Sequence, residues 1–172
     1  FYDLVKVSDV VVSNYRAGIM KRQKTDFETL KKINPGIIRC NVSGRGWSGP
    51  YANYPSYDII ACGQSGILGL SGEPGRAPVI PGGVPLADIS GGFLSAFMVL
   101  AALFRREKTG KGIKLDPTLL VALLLYQQVF IQNFLITGEE PGLQGNRHKI
   151  VYPYGVYATK DGFMTIGPAD TS

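Results

Sequence analysis

Two short apolar runs, VVV at residues 10 to 12 and IIRCNV at 37 to 42, constrain this chain more than any other feature. The three consecutive valines suit a strand buried on both faces, the setting of a parallel sheet, and IIRCNV reads as a second strand. Between them lie a basic stretch, residues 17 to 24, and the segment FETLKKIN, both of helical character. Asp26 is placed to cap the second helix, with Thr29 at its third position. Asn34-Pro35-Gly36 then stops it. Strand, helices and strand over residues 8 to 42 form the crossover unit of a parallel sheet. Residues 2 to 7 read as a helix end. The expected fold class is α/β, a parallel sheet with flanking helices.

The rest of the chain extends that pattern. SGRGWSGPYANYPS and SGEPGRAPVIPGGVP are long Gly- and Pro-rich loops on either side of YDIIACGQSGILGL, which reads as a helix weakened by its glycines. Residues 88 to 108 predict a long helix. Its stripe Phe93, Phe97, Leu100, Ala101 and Phe104 follows helical spacing and is expected to face the core. RREKTGKG closes it with cations and Gly110. IKLD reads as a strand, and Pro117 suits the first turn of a helix over 118 to 136. TGEEPGLQGNRH is a polar linker. VYPYGVYATKDGFMTIG alternates around a Lys-Asp-Gly turn and reads as a hairpin. The expected domains are 1–145, and 146–172 as a linker opening a second unit. With no initiator Met and an end at PADTS, the sequence reads as a piece of a longer chain.

Composition narrows the function classes. A length of 172 residues and 45% apolar content allow a real core. The net charge of +5 suits an anionic partner. The cations are dispersed and lack interleaved aromatics, so nucleic acid is not expected. Residues 89 to 104 fall about four short of a membrane span. Residues 118 to 136 carry Gln127, Gln128, Gln132 and Asn133, so both read as core helices and no membrane partner is expected. Cys40 and Cys62 lack metal-ligand spacing and read as reduced core thiols. His148 is the single histidine. There is no HExxH, no phosphate-binding P-loop and no dinucleotide fingerprint. Neither a metal nor a redox cofactor is expected.

Carboxylates are then the reactive candidates. Asp88, in VPLADISGG, stands where the long helix begins. One reading is a helix N-cap. The other is a nucleophile. Gly91 and Gly92 each weaken the helix by about 1 kcal/mol relative to Ala, which a mere cap does not need. They let a ligand approach the backbone. Free N–H groups at the helix start could hold an adjacent oxyanion. A second cluster, SNYRAGIMKR, follows a strand end, where α/β sheets bind ligands. Its arginines suit phosphates, although a solvated basic helix face explains the same residues.

VVVSNYRAGIMKR, the DFETL to YPSYD segment, SGILGLSGEPGRAP, GVPLADISGGFLSAFMVLAALFRREKTGKG and GNRHKIVYPYGVYATKDGFMTIG together resemble, in order, the class III CoA-transferases. This CaiB/BaiF family includes formyl-CoA transferase, carnitine CoA-transferase and α-methylacyl-CoA racemase. The resemblance implies a Rossmann-like large-domain core and an interlocked homodimer in the full-length family. It implies coenzyme A transfer from an acyl-CoA to a carboxylic acid. Asp88 would be the nucleophile, passing through an aspartyl anhydride and an aspartyl-CoA thioester. Asn14, Tyr15, Arg16 and Arg22 would contact CoA, with Ser43 and Gly44 lining its channel. Arg147 and His148 would lie near the site, though an exposed linker His fits the sequence equally. The racemases place a His where this chain has Tyr57, whose reference pKa of about 10 makes a poor base. That departure favours the transferase over the racemase alternative. A silent CoA-binding fragment is the other alternative. The N-terminal strand–helix start and most of the small domain of the family are absent from this sequence. The resemblance implies a cytoplasmic enzyme, or a mitochondrial or peroxisomal one in a eukaryote.

Overall fold

In the computed structural model, residues 1–80, 83–148 and 151–168 are described. They form two compact units, Phe1–Ser65 with Pro85–Tyr126, and Gly66–Val84 with Gln127–Ser172. The boundary expected at residue 145 falls inside the second. Pro81 and Gly82 of the second long loop, and most of the terminal PADTS, lie outside the described residues.

The first unit is built on three parallel strands in the order β1 (Val10–Ser13), β2 (Ile38–Asn41) and β3 (Lys114–Leu115). Val10 pairs with Ile38 and Ser13 with Asn41, while Arg39 pairs with Lys114. The crossover from β1 to β2 carries α2 (Ile19–Arg22) and α3 (Phe27–Leu30). Asp26 caps α3 as expected, accepting from the Thr29 backbone N–H at 3.2 Å and its hydroxyl at 2.8 Å. Asn34 ties the stop to α1 (Tyr2–Val7), donating to the Val5 and Ser8 carbonyls at 3.0 Å each.

Both faces of the sheet are covered. On one side Val5 of α1 and Leu30 of α3 pack with Ile37. On the other, Ile38, Cys40 and Leu115 pack against Ala102, Met98 and Val99 of α5 (Leu86–Thr109). β2 is buried throughout. β1, whose three valines read as buried on both faces, departs from that expectation: as an edge strand in this sheet it leaves Val12 exposed.

The expectation for α5 is inverted. Its buried residues are Ala87, Ser90, Gly91, Ser95 and Ala102, while Phe93 is 73% and Phe104 66% exposed. The physical reason is close approach. A Cβ on Gly91 would lie 2.5 Å from the Leu119 side chain, so only small residues fit where α5 meets α6 (Leu119–Leu124). The aromatic stripe is left on the far side. α5 also exceeds its predicted length, and Leu86–Thr109 and Leu119–Thr137 both have the length and composition to cross a membrane. The latter is not one continuous α-helix. Thr118, not Pro117, opens α6 by accepting from the Val121 N–H at 3.0 Å. A 3-10 turn, Leu125–Gln127, follows before α7 (Gln128–Thr137). The YDIIACG segment likewise splits. α4 (Asp58–Ser65) stops at Gly66 in the left-handed region, φ 84°, and a 3-10 turn covers Ile67–Leu70.

The second unit contains the predicted hairpin, β4 (Gly155–Ala158) antiparallel to β5 (Phe163–Ile166), closed by Thr159 N–H donating to the Gly162 carbonyl. Residues 144 to 146 run beside 70 to 73, with Gly145 N–H donating to Gly72 at 2.8 Å and the Asn146 amide to Glu73.

Candidate active site

The C-terminal ends of β1 and β2 open onto a cavity of about 540 Å³ within the first unit. Asn14, Tyr15, Arg16, Ser43, Gly44 and Asp88 all line it. Six of the seven residues singled out in the sequence therefore converge on one space. Arg22, the last residue of α2, is exposed and lies outside that lining.

Each wall has a local cause. The Asn14–Arg16 loop is held from β2: Asn41, buried, donates its amide to the Tyr15 carbonyl at 3.3 Å. Arg39, also buried, donates to the Thr25, Val11 and Cys40 carbonyls and to the Ser13 hydroxyl at 2.7 Å. These polar residues inside a buried strand satisfy carbonyls of the flanking loops, at Tyr15 and Thr25, and of the strands themselves, at Val11 and Cys40. Neither was singled out as functional in the sequence, yet an Arg and an Asn within IIRCNV are the available signal: buried polar groups require partners.

Ser43 and Gly44 are fixed against α6. Ser43 N–H donates to Pro117, and the Ser43 and Gly44 carbonyls accept from Leu119 and Leu120. Gly44 must be glycine, because a Cβ there would lie 2.1 Å from that of Ser56. Ser56 borders the cavity too, and its hydroxyl is buried with no hydrogen-bond partner among the described residues.

Asp88 is not the helix cap. α5 begins at Leu86, the cap position is Pro85, and no side chain of its own caps the helix. The capping carboxylate comes from α4. Asp58 Oδ1 accepts from the Ala87 N–H at 2.6 Å and the Asp88 N–H at 3.1 Å. Its other oxygen faces the Cys62 thiol at 3.8 Å. Two first-turn donors are thus already engaged, which corrects the expectation that they stand free for an oxyanion. The Asp88 side chain is released from capping and sits, exposed, at the cavity wall. Its pKa is pushed upward, first by partial burial and second by the negative charge of Asp58. A raised pKa marks a carboxylate more basic than an ordinary surface Asp, and correspondingly a better nucleophile once ionised.

The two glycines after Asp88 have different causes. Gly91 is a packing residue against Leu119, whereas Gly92 borders the cavity and a Cβ there would meet open space. Tyr57 lines the cavity as well. Cys40 and Cys62 are free and buried, and burial raises both thiol pKa values. No group of three or more His, Cys, Asp or Glu suited to a metal occurs among the described residues.

Arg147 and His148 belong to the second unit. His148 accepts the Val151 N–H at Nδ1 (3.0 Å) and meets Tyr154 edge-on at 5.3 Å. Both line a separate cavity of about 310 Å³ with Val129 and Phe130.

Comparison with known proteins bears on this arrangement. A family model described as CoA-transferase family III matches residues 1–172. The chain is 37% identical to an acetyl-CoA:oxalate CoA-transferase of Acetobacter aceti, covering 94% of this chain and 41% of that protein. It is 37% identical to a succinate–glutarate CoA-transferase of Agrobacterium fabrum, covering 95% and 40%. Among solved structures, a CaiB/BaiF family protein from Brucella suis superposes with a TM-score of 0.89 at 37% identity, over 96% of this chain and 43% of that one. The chain thus spans about two-fifths of the length of these relatives. With the whole chain matched by the family model and the fold shared with the Brucella suis protein, this chain belongs to CoA-transferase family III.

Proposed function

We propose that the protein carrying this chain transfers coenzyme A from an acyl-CoA donor to a carboxylic acid acceptor, with Asp88 as nucleophile. One observation carries the reading: a carboxylate at the head of a helix, lining a cavity, whose capping duty is taken over by Asp58.

In this proposal CoA lies against Asn14, Tyr15, Arg16, Ser43 and Gly44, with Arg22 reaching a phosphate farther out. The guanidiniums pair with phosphate oxygens, two donors to one group. The ionised Asp88 carboxylate attacks the thioester carbonyl. The C–S bond breaks, CoA leaves as thiolate, and a mixed anhydride forms on Asp88. The thiolate then attacks the Asp88 carbonyl carbon and releases the donor acid, leaving an aspartyl-CoA thioester. The acceptor carboxylate attacks that carbonyl and expels the thiolate again. Finally the thiolate attacks the acceptor's carbonyl, giving the new acyl-CoA and free Asp88. No proton or electron is gained or lost over the cycle, so the reaction calls for no redox cofactor. A tyrosine at position 57, where the racemases place a histidine, supports acyl transfer over α-proton exchange.

The whole protein acts in this reading as a cytoplasmic homodimer without a nucleic-acid or membrane partner. The long apolar segments support the last point, since α5 rests its inner side on a sheet and the segment 119–137 carries Gln127, Gln128, Gln132 and Asn133. The test is an intact mass spectrum after incubation with a panel of acyl-CoAs, with Asp88→Ala in parallel. An adduct that hydroxylamine removes and that Asp88→Ala lacks is expected. CoA binding with no adduct would mean a silent CoA-binding protein, and α-proton exchange in heavy water would mean a racemase.

A further inference from the structure

The Asn14–Arg16 loop is exposed on the cavity wall, yet a directed chain of hydrogen bonds ties it to the interior. The chain starts at Arg39, a buried guanidinium on β2. Among the described residues no carboxylate stands within ion-pair distance of it. Its partners are neutral: the Thr25, Val11 and Cys40 carbonyls, the Met20 sulfur and the Ser13 hydroxyl. Arg39 donates to Ser13 Oγ at 2.7 Å, so the Ser13 proton is free to turn to Asn41 Oδ1, a better acceptor than the Met20 sulfur 3.6 Å away. That bond fixes the Asn41 amide. Its oxygen is held by Ser13, and its nitrogen donates to the Tyr15 carbonyl at 3.3 Å and to the Val42 carbonyl at 3.5 Å.

The chain runs in one sense only, because a guanidinium solely donates and a carbonyl solely accepts. A charged donor at its head polarises the bonds behind it. The two ends of the Asn41 amide therefore do different work. Oδ1 completes the interior network, and Nδ2 reaches the loop. None of Arg39, Ser13 and Asn41 is among the described residues that line the cavity.

We propose that Arg39, Ser13 and Asn41 are positioning residues for coenzyme A. They hold the Asn14–Arg16 loop in the conformation that receives CoA, and so set CoA affinity without touching it. The assignment rests on the transferase reading above and deepens it. A loop ordered beforehand has less freedom to lose when the ligand arrives, and that difference appears in affinity.

The experiment uses the whole polypeptide, free CoA as the calorimetric probe and two variants. Asn41→Asp keeps an oxygen for Ser13 and adds a counter-charge near Arg39, so stability in denaturant unfolding is expected to hold. A carboxylate cannot donate to Tyr15, and affinity for CoA is expected to weaken about tenfold. Ser13→Ala, which is neutral, leaves the Asn41 amide unoriented and is expected to weaken it about threefold. With the acyl-CoA that labels wild-type Asp88, the loss in both variants is expected in KM, with kcat within about twofold of wild type. Unchanged CoA affinity in Asn41→Asp overturns the assignment. So does weakening in Asn41→Asp with Ser13→Ala like wild type, because the added charge would then be repelling the CoA phosphates. A loss of affinity that merely tracks a loss of folding stability also overturns it, leaving the three residues a structural role. Failure of every acyl-CoA to label wild-type Asp88 overturns the transferase reading, and the calorimetry then decides the positioning role by itself. A wild type that binds no CoA overturns both.

Discussion

The inner and outer flanks of α5 obey opposite rules. The inner flank is small and close: Ala87, Gly91, Ser95 and Ala102 let the helix lie tight on the sheet and α6. The outer flank is large and apolar: Phe93, Phe97, Leu100 and Phe104 stand exposed in this chain. Asp88 heads the helix and Gly92 follows it on the cavity wall. Helical periodicity locates both stripes but does not say which one is covered. Size decides that here, because close backbone approach excludes bulky side chains whatever their hydrophobicity.

The largest expected effect is on the head of the inner flank. Asp88→Ala is expected to lower CoA transfer at least about a thousandfold in a steady-state assay, since removing a nucleophile abolishes its covalent step. Next comes packing. Gly91→Val forces Leu119 aside and is expected to cost about 1–3 kcal/mol in denaturant unfolding. Gly92→Ala, with open space at its Cβ, is expected to gain up to about 1 kcal/mol while lowering activity, because the added methyl narrows the cavity. If both substitutions destabilised equally, the distinction between the two glycines would fail.

Asp58→Asn probes the link between α4 and α5. Its amide oxygen can still accept both N–H bonds, so the cap is kept and the charge removed. In the proposed reaction Asp88 must be ionised to attack. With its pKa raised, single-turnover adduct formation should fall, as pH drops, at a higher pH than an unperturbed Asp would give. Removing the Asp58 charge should move that fall to lower pH. The shift stays partial, because burial, the larger cause, persists. A pH profile identical to wild type would remove Asp58 from the electrostatics of the site. The smallest effect is expected on the outer flank: Phe97→Gln in the 172-residue chain should change stability by less than about 0.5 kcal/mol. A cost of several kcal/mol would show that this flank is covered in solution.

Much of the fold was legible in the sequence. β-branched runs, Asp26 with its Thr29, and Gly110 with its preceding cations fix β1, β2, α3 and the end of α5 through local rules. Most of the cavity lining was legible for a related reason: in a parallel sheet the residues following each strand gather at one edge, and Asn14 and Ser43 both follow strands. What escaped was tertiary. Asp58 caps a helix 29 residues away in sequence, Asn41 holds a loop from the neighbouring strand, and Arg45 is fixed by Gln64. None of these pairings has a local signature, since each depends on which elements pack together.

The central claim is that Asp88 takes part covalently in transfer. It is tested most directly by turnover with an acceptor acid whose carboxylate carries heavy oxygen, followed by mass analysis of the peptide containing Asp88. The anhydride route passes an acceptor oxygen into the Asp88 carboxylate at each cycle, so that peptide should become heavier while its neighbours do not. Multiple turnovers with an unlabelled Asp88 peptide would contradict the account, because CoA would then be moving without a covalent passage through this residue.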